Sequence, residues 1–251
     1  MMNRMRLTVF VGVLASCCIL SECAKLPSSW GRCHKSDKDF STCLRKNVED
    51  AIRKLRYPTP ELGMNALDPL DIPELYIGQG KGPVNVAQHF KNVKLFGLTN
   101  VDVQKVNVDF EKNQLVAQST NPELRLQGDY DMKGRVLLLP IYGQGPCNVT
   151  LLNMKILHTL TWEKIQKKGK TFLKPVDFKV SMEPDRVIFK FDNLFDGQKE
   201  LGDNINKVLN DAWDEVFGDV KPGYEKSFGL IFKDLASRIL TRVAEDEVFL
   251  E

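Results

Sequence analysis

The C-terminal stretch constrains this chain more than any other. From Asp203, a candidate helix cap, Ile205, Val208, Leu209, Ala212, Val216 and Phe217 recur on one side of a helix. After Gly218, Pro222 and Gly223, a second run carries Tyr224, Phe228, Ile231, Leu235, Ile239 and Val243. The two pieces are one kinked helix or two, because Pro222 disfavours helical backbone at Lys221. Together they reach roughly 60 Å at 1.5 Å per residue. An apolar stripe of that length is buried only if a sheet wraps around it.

The preceding residues supply such a sheet. Between Val84 and Asp192 the apolar pattern has period two. Val101, Val103, Val106, Val108 and Phe110 nearly alternate, and the one-residue slip between 103 and 106 predicts a β-bulge. Leu124, Leu126, Tyr130, and finally Val187, Phe189 and Phe191 continue the series. Turn signals at Lys112-Asn113, Lys133-Gly134, Gly143-Gln144-Gly145, Lys168-Gly169 and Pro184-Asp185 divide it into seven or eight antiparallel strands. Two of these, at 136–142 and 149–157, are apolar on nearly both faces, which a sheet with one wet face does not require.

The N-terminus reads as an export signal. Arg4 and Arg6 precede an uncharged apolar run from Leu7 to Leu20, and Ser21-Glu22-Cys23 ends in a small residue, predicting cleavage after Cys23. The run is shorter than the ~20 residues of a membrane-spanning helix. The expected organisation is a signal peptide at 1–23 and a single domain at 24–251, secreted and not anchored. Loss of the signal leaves Cys33, Cys43 and Cys147. An odd count in an oxidising compartment implies one bridge and one spare thiol. We expect Cys33–Cys43, stapling the N-terminal tail to a helix over 37–55 that carries Phe40, Leu44, Val48, Ile52 and Leu55 on one face. A zinc site lacks ligands, since His34 is the only nearby histidine and there is no CxxC. Residues 56–83, with five prolines, should be extended, irregular chain.

Catalytic signals are thin. His34, His89 and His158 show no ligand spacing, and neither G-x-S-x-G nor H-E-x-x-H occurs. Gly78-Gln79-Gly80-Lys81-Gly82 precedes a proline and a strand, not the helix a phosphate loop needs. No catalytic residue, cofactor or metal is predicted. A formal net charge of +2 gives no electrostatic case for nucleic acid. The lysines near 164–170 read as an exposed hairpin tip and not a membrane-insertion device. Asn148-Val149-Thr150 is a glycosylation sequon. If Asn148 faces solvent, then Cys147, Val149 and Leu151 face inward and the spare thiol is buried.

Four segments in order, namely the Cys33…Cys43 pair with its helix, LDPLDIPEL at 67–75, GRVLLLPIYGQGPCNVTL at 134–151 and FDNLFDGQKELGDNIN at 191–206, resemble the takeout family, secreted insect proteins related to haemolymph juvenile hormone binding proteins. The resemblance implies an α+β fold in which a long helix is wrapped by a strongly curved antiparallel β-sheet, as in tubular lipid-binding proteins. It also implies an apolar tunnel holding an extended small molecule, such as a juvenile hormone-like terpenoid, a fatty acyl chain or a quinone tail, with possible links to circadian or feeding physiology. Dedicated hormone carriers of this family have a second disulfide, for which Cys147 has no partner, so the takeout branch is the better match.

The expected function is therefore a secreted, non-enzymatic carrier, the alternative being an esterase-like enzyme on the same ligands. Burying ~350 Å² of ligand at about 25 cal/mol/Å² supplies roughly 9 kcal/mol before ordering costs. The expected tunnel lining is Val136, Leu138, Val149, Leu151, Val187, Phe189 and Phe191 from strands, with Val208 and Ala212 from the helix facing them.

Overall fold

The computed structural model describes residues 24–251 other than 79, 81 and 137; the expected signal peptide lies outside the described residues. A short strand β1 (Cys33–His34) leads into helix α1 (Phe40–Lys54). Strands β2 (Leu70–Ile77), β3 (Val84–Phe96), β4 (Asp102–Asp109), β5 (Gln114–Val136), β6 (Leu139–Lys167), β7 (Lys170–Glu183) and β8 (Arg186–Phe191) follow. Helices α2 (Lys199–Asp211), α3 (Trp213–Leu240) and α4 (Glu245–Val248) and strand β9 (Phe249–Leu250) complete the chain.

The seven strands β2 to β8 form one antiparallel sheet with five lanes. The central lanes are β5 and β6, 23 and 29 residues long. β3 pairs with the second half of β5 and β4 with its first half, so 84–109 runs as one interrupted lane. β7 and β8 likewise run consecutively along β6, broken at Pro184-Asp185. β2 borders β3. The predicted bulge is present as a register shift between Val103 and Lys105. The reading of a long helix enclosed by a curved antiparallel sheet is correct: α3 touches β2 and β3 near one edge and β7 and β8 at the other. A helix can meet both edges only if the sheet bends round it.

Three expectations need correction. Residues 56–83 are not wholly irregular, because 70–77 is the edge strand β2. Pro73 interrupts its ladder between Ile72↔Val93 and Glu74↔Lys91, a loss tolerable on an edge. Second, 136–142 is not one strand. β5 ends at Val136 and β6 begins at Leu139, while Gly134 and Gly143 lie inside the strands. A Cβ on Gly134 would stand 2.1 Å from the Asn85 carbonyl oxygen, so this glycine permits close backbone approach and makes no turn. Third, the helical break falls at Ala212 (φ −109°, ψ 35°), and α3 runs through Pro222. Pro222 and Gly218 are both exposed, so the Gly218 carbonyl that loses its helical donor faces water.

Two apolar clusters occupy the inner side. The larger lies between the sheet and α2–α3. The smaller lies where α1 covers β4 and includes Leu44, Val103, Val106, Leu160, Trp162 and Phe249. Glu49 pins α1 there by accepting the Val103 N–H at 2.9 Å. The Cys33–Cys43 disulfide is present, and Cys33 pairs in parallel with Phe249, which joins the two ends of the chain.

Candidate functional site

The helices attach to the sheet through polar side chains at its edges. On α2, Asn206 accepts from the Phe191 N–H (2.9 Å) and donates to the Phe191 carbonyl (2.8 Å). One turn on, Asn210 does the same with Phe189, at 2.9 and 2.8 Å. Each amide thereby replaces the strand that an edge otherwise lacks. On α3, Glu225 accepts the Met182 N–H of β7 at 2.9 Å, and Ser227 donates to the Tyr76 carbonyl of β2 at 2.9 Å. Asp219 accepts the Val84 N–H at 2.7 Å.

Two small cavities follow the seam between α3 and the sheet. The first is walled by Leu124, Leu126, Val149, Leu151 and Ile156 of the central strands and by Phe217, Tyr224, Phe228 and Phe232 of α3. The second is walled by Val84, Val86, Met132, Val136 and Ile141, with Leu209 of α2 and Val216 and Val220 of α3. Each has about 20 Å³ open to the centre of a water-sized sphere, room for about one water. Phe189 borders both, so the two lie end to end with its ring between them. One buried polar contact crosses this region: the Tyr224 hydroxyl donates to Gln88 Oε1 at 3.0 Å. Burial pushes the Tyr224 phenol well above its ordinary range.

Of the nine expected lining residues, Val149 and Leu151 border the first cavity, Val136 and Phe191 the second, and Phe189 both. Val187 is fully buried but borders neither. Leu138 does not line the interior: it sits at the β5–β6 hairpin tip and is 92% exposed. Val208 and Ala212 are half-buried and border neither cavity. Within α2 the buried stripe is Gly202, Ile205 and Leu209, and beyond the break at Ala212 it continues at Val216 and Val220 of α3. Every fourth residue from Val216 (Val220, Tyr224 and Phe228) then stays on the cavity side, a spacing the sequence displays. Gln88 and Ser119 are inward-facing polar residues that carry no motif and escaped the sequence reading, and His158, also inward-facing, was read there only as lacking ligand spacing.

The inward orientation of Cys147, Val149 and Leu151 is as expected. Asn148 lies on the opposite face between Gln127 and Lys190, with Thr150 Oγ1 3.4 Å from its Oδ1. Among the described residues, no group of three His, Cys, Asp or Glu side chains could hold a metal. None of the described helices is long and apolar enough to cross a membrane.

A helix seam walled by apolar strands is the arrangement the family resemblance implies, and the family model described as haemolymph juvenile hormone binding protein (JHBP) matches residues 10–250. The chain belongs to this family. It is similar to the circadian clock-controlled protein daywake of Drosophila melanogaster, 27% identical over 250 residues, covering 96% of this chain and 95% of that protein. It also resembles a putative beta-carotene-binding protein of Schistocerca gregaria, 24% identical, with 85% of each chain covered. Among solved structures, Epiphyas postvittana Takeout 1 superposes with a TM-score of 0.76 at 26% identity, covering 88% of this chain and 99% of that one. The JHBP and takeout kinship supports a hydrophobic-ligand carrier.

Proposed function

We propose that the protein is a secreted, non-catalytic carrier that holds an extended apolar molecule (a terpenoid, a fatty acyl chain or a quinone tail) between its long helix and its sheet. One observation carries this reading: two apolar cavities meet at Phe189 along a single seam. At about 20 Å³ each they admit no such ligand unaltered. Binding therefore displaces lining side chains, and Met132 and Met182, unbranched and adaptable, are suited to yield. Secreted protein from insect cells, extracted into organic solvent and analysed by mass spectrometry, should release an apolar compound near one equivalent. Replacing Phe189 with Ala should join the cavities and strengthen binding of an apolar fluorescent probe. An empty extract together with no probe binding in either protein would overturn the reading.

Export is tested in the same preparation: the secreted chain should begin at Ala24 and carry a glycan at Asn148 that Thr150→Ala removes. The names of the daywake relatives support sampling its transcript through the day, and a flat profile would separate it from clock control. A second reading, an esterase, is favoured by one contact, Ser119 Oγ to His158 Nε2 at 2.9 Å. Among the described residues no carboxylate bonds the other ring nitrogen, so the pair lacks the third group that orients a catalytic base. Turnover of p-nitrophenyl esters abolished by Ser119→Ala would establish that reading.

A further inference from the structure

Between its two apolar clusters the inner face of β5 and β6 carries polar residues: Asn121, which donates to the Gly97 and Leu98 carbonyls, and next to it the pair Ser119 and His158. Ser119 stands opposite Ile156, a wall of the first cavity, and His158 stands opposite Ala117 of the smaller cluster. Along β5 the sequence passes from the second cavity at Val136 and Met132, through the first at Leu126 and Leu124, to Ser119. The pair therefore stands beyond the first cavity, at the end of the seam remote from the second. The His158 ring packs edge-on to Phe178, with centroids 6.0 Å apart, and lies 6.1 Å from Phe232, which borders the cavity.

The hydrogen bonds fix the ring's tautomer. Ser119 is 5% exposed and has one hydroxyl proton to place. Among the described residues its side chain bonds only His158 Nε2, at 2.9 Å. If Nε2 carried the proton, the buried serine proton would be left without an acceptor, whereas Nδ1, which keeps accessible surface, can give its proton to water or to a ligand. Nε2 therefore accepts, and the proton of the neutral ring sits on Nδ1. Nδ1 has no acceptor among the described residues. Burial, with no carboxylate to oppose it, holds the His158 pKa down to about 4, so the ring is neutral at physiological pH.

We propose that Ser119 and His158 seat the polar end of the apolar cargo, with Nδ1–H of His158 donating to an acceptor oxygen such as the carbonyl of a ketone, ester or quinone. This rests on the carrier reading and narrows its ligand class to chains with an oxygen acceptor at one end.

Competition of tetradecan-2-one and n-tetradecane against an apolar fluorescent probe tests it. The ketone should bind the unaltered protein about tenfold more tightly, the factor for one hydrogen bond otherwise left unmade. His158→Phe, which keeps an apolar ring, should abolish that preference and leave tetradecane binding unchanged; Ser119→Ala should weaken it. If neither compound displaces the probe, the carrier reading fails as well. Equal displacement by both, or equal loss of both in the variants, overturns the polar end while leaving the carrier intact. Should the variants not fold, the ring ¹⁵N shifts of His158 decide: Nδ1 must be the protonated nitrogen and must shift with ketone and not with alkane.

Discussion

Asn210 holds both backbone polar groups of Phe189, accepting its N–H at 2.9 Å and donating to its carbonyl at 2.8 Å. The residue clamped in this way is the one whose ring borders both cavities. A helix side chain thus fixes the edge strand at the point where a ligand would have to pass. Asn210→Ala should remove both bonds and cost about 1–3 kcal/mol, read from the urea midpoint. Amide exchange of Phe189 should rise in the same variant. An unchanged midpoint would show that packing alone holds β8 to α2.

Tyr224 and Gln88 make a second polar contact, inside the apolar interior. Replacing Tyr224 with Phe strands Gln88 Oε1 and should cost on the order of 1–3 kcal/mol. Adding Gln88→Met removes the stranded acceptor and should recover most of that loss. A double variant no more stable than the single one would mean that Gln88 has a further role.

The cysteines predict a sharp chemical contrast. Cys147 is buried, and burial raises its thiol pKa to about 12. At pH 8 it should react slowly with iodoacetamide in the folded protein and rapidly in denaturant. The Cys33–Cys43 bridge closes a short loop with a sequence separation of 10. Reducing it should lower stability by roughly 2.5–3 kcal/mol on chain-entropy grounds. Fast alkylation of the native protein would place Cys147 at the surface.

Much of the fold was legible because it rests on periodicity. The bulge near 103, the inward set Cys147, Val149 and Leu151, and the long C-terminal stripe follow from spacing alone. Spacing failed where tertiary contacts decide. Gly134 and Gly143 resemble turn residues, yet they serve close approach to neighbouring backbone. Pro222 looks like a helix breaker, but its solvent-facing position makes the loss cheap, while Ala212, a strong helix former, carries the break. The inward stripe runs through Ile205, Leu209 and Val216, and spacing alone did not separate these from the half-buried Val208 and Ala212 beside them. Ser119 and His158, 39 residues apart, become a pair only through the β5–β6 register, which no local pattern encodes.

The pH dependence of stability offers a last test of how deeply His158 is enclosed. Its folded pKa is depressed to about 4, with burial the cause, against an unfolded value near 6.5. Between these values the unfolded chain binds the proton and the folded chain does not. Stability from the neutral ring is therefore complete above pH 6.5, falls as pH drops through that window, and is lost by about pH 4. The loss from this group should not exceed about 3.5 kcal/mol, because each of the roughly 2.5 pH units between the two values is worth about 1.4 kcal/mol. In His158→Phe that part of the decline should vanish, so the difference between the two urea midpoints should narrow or change sign on acidification. Parallel curves for the two proteins from pH 7 to pH 4 would show that His158 protonates freely in the folded state. Its ring would then be as hydrated as in the unfolded chain, and water would compete with a ligand for the Nδ1 proton.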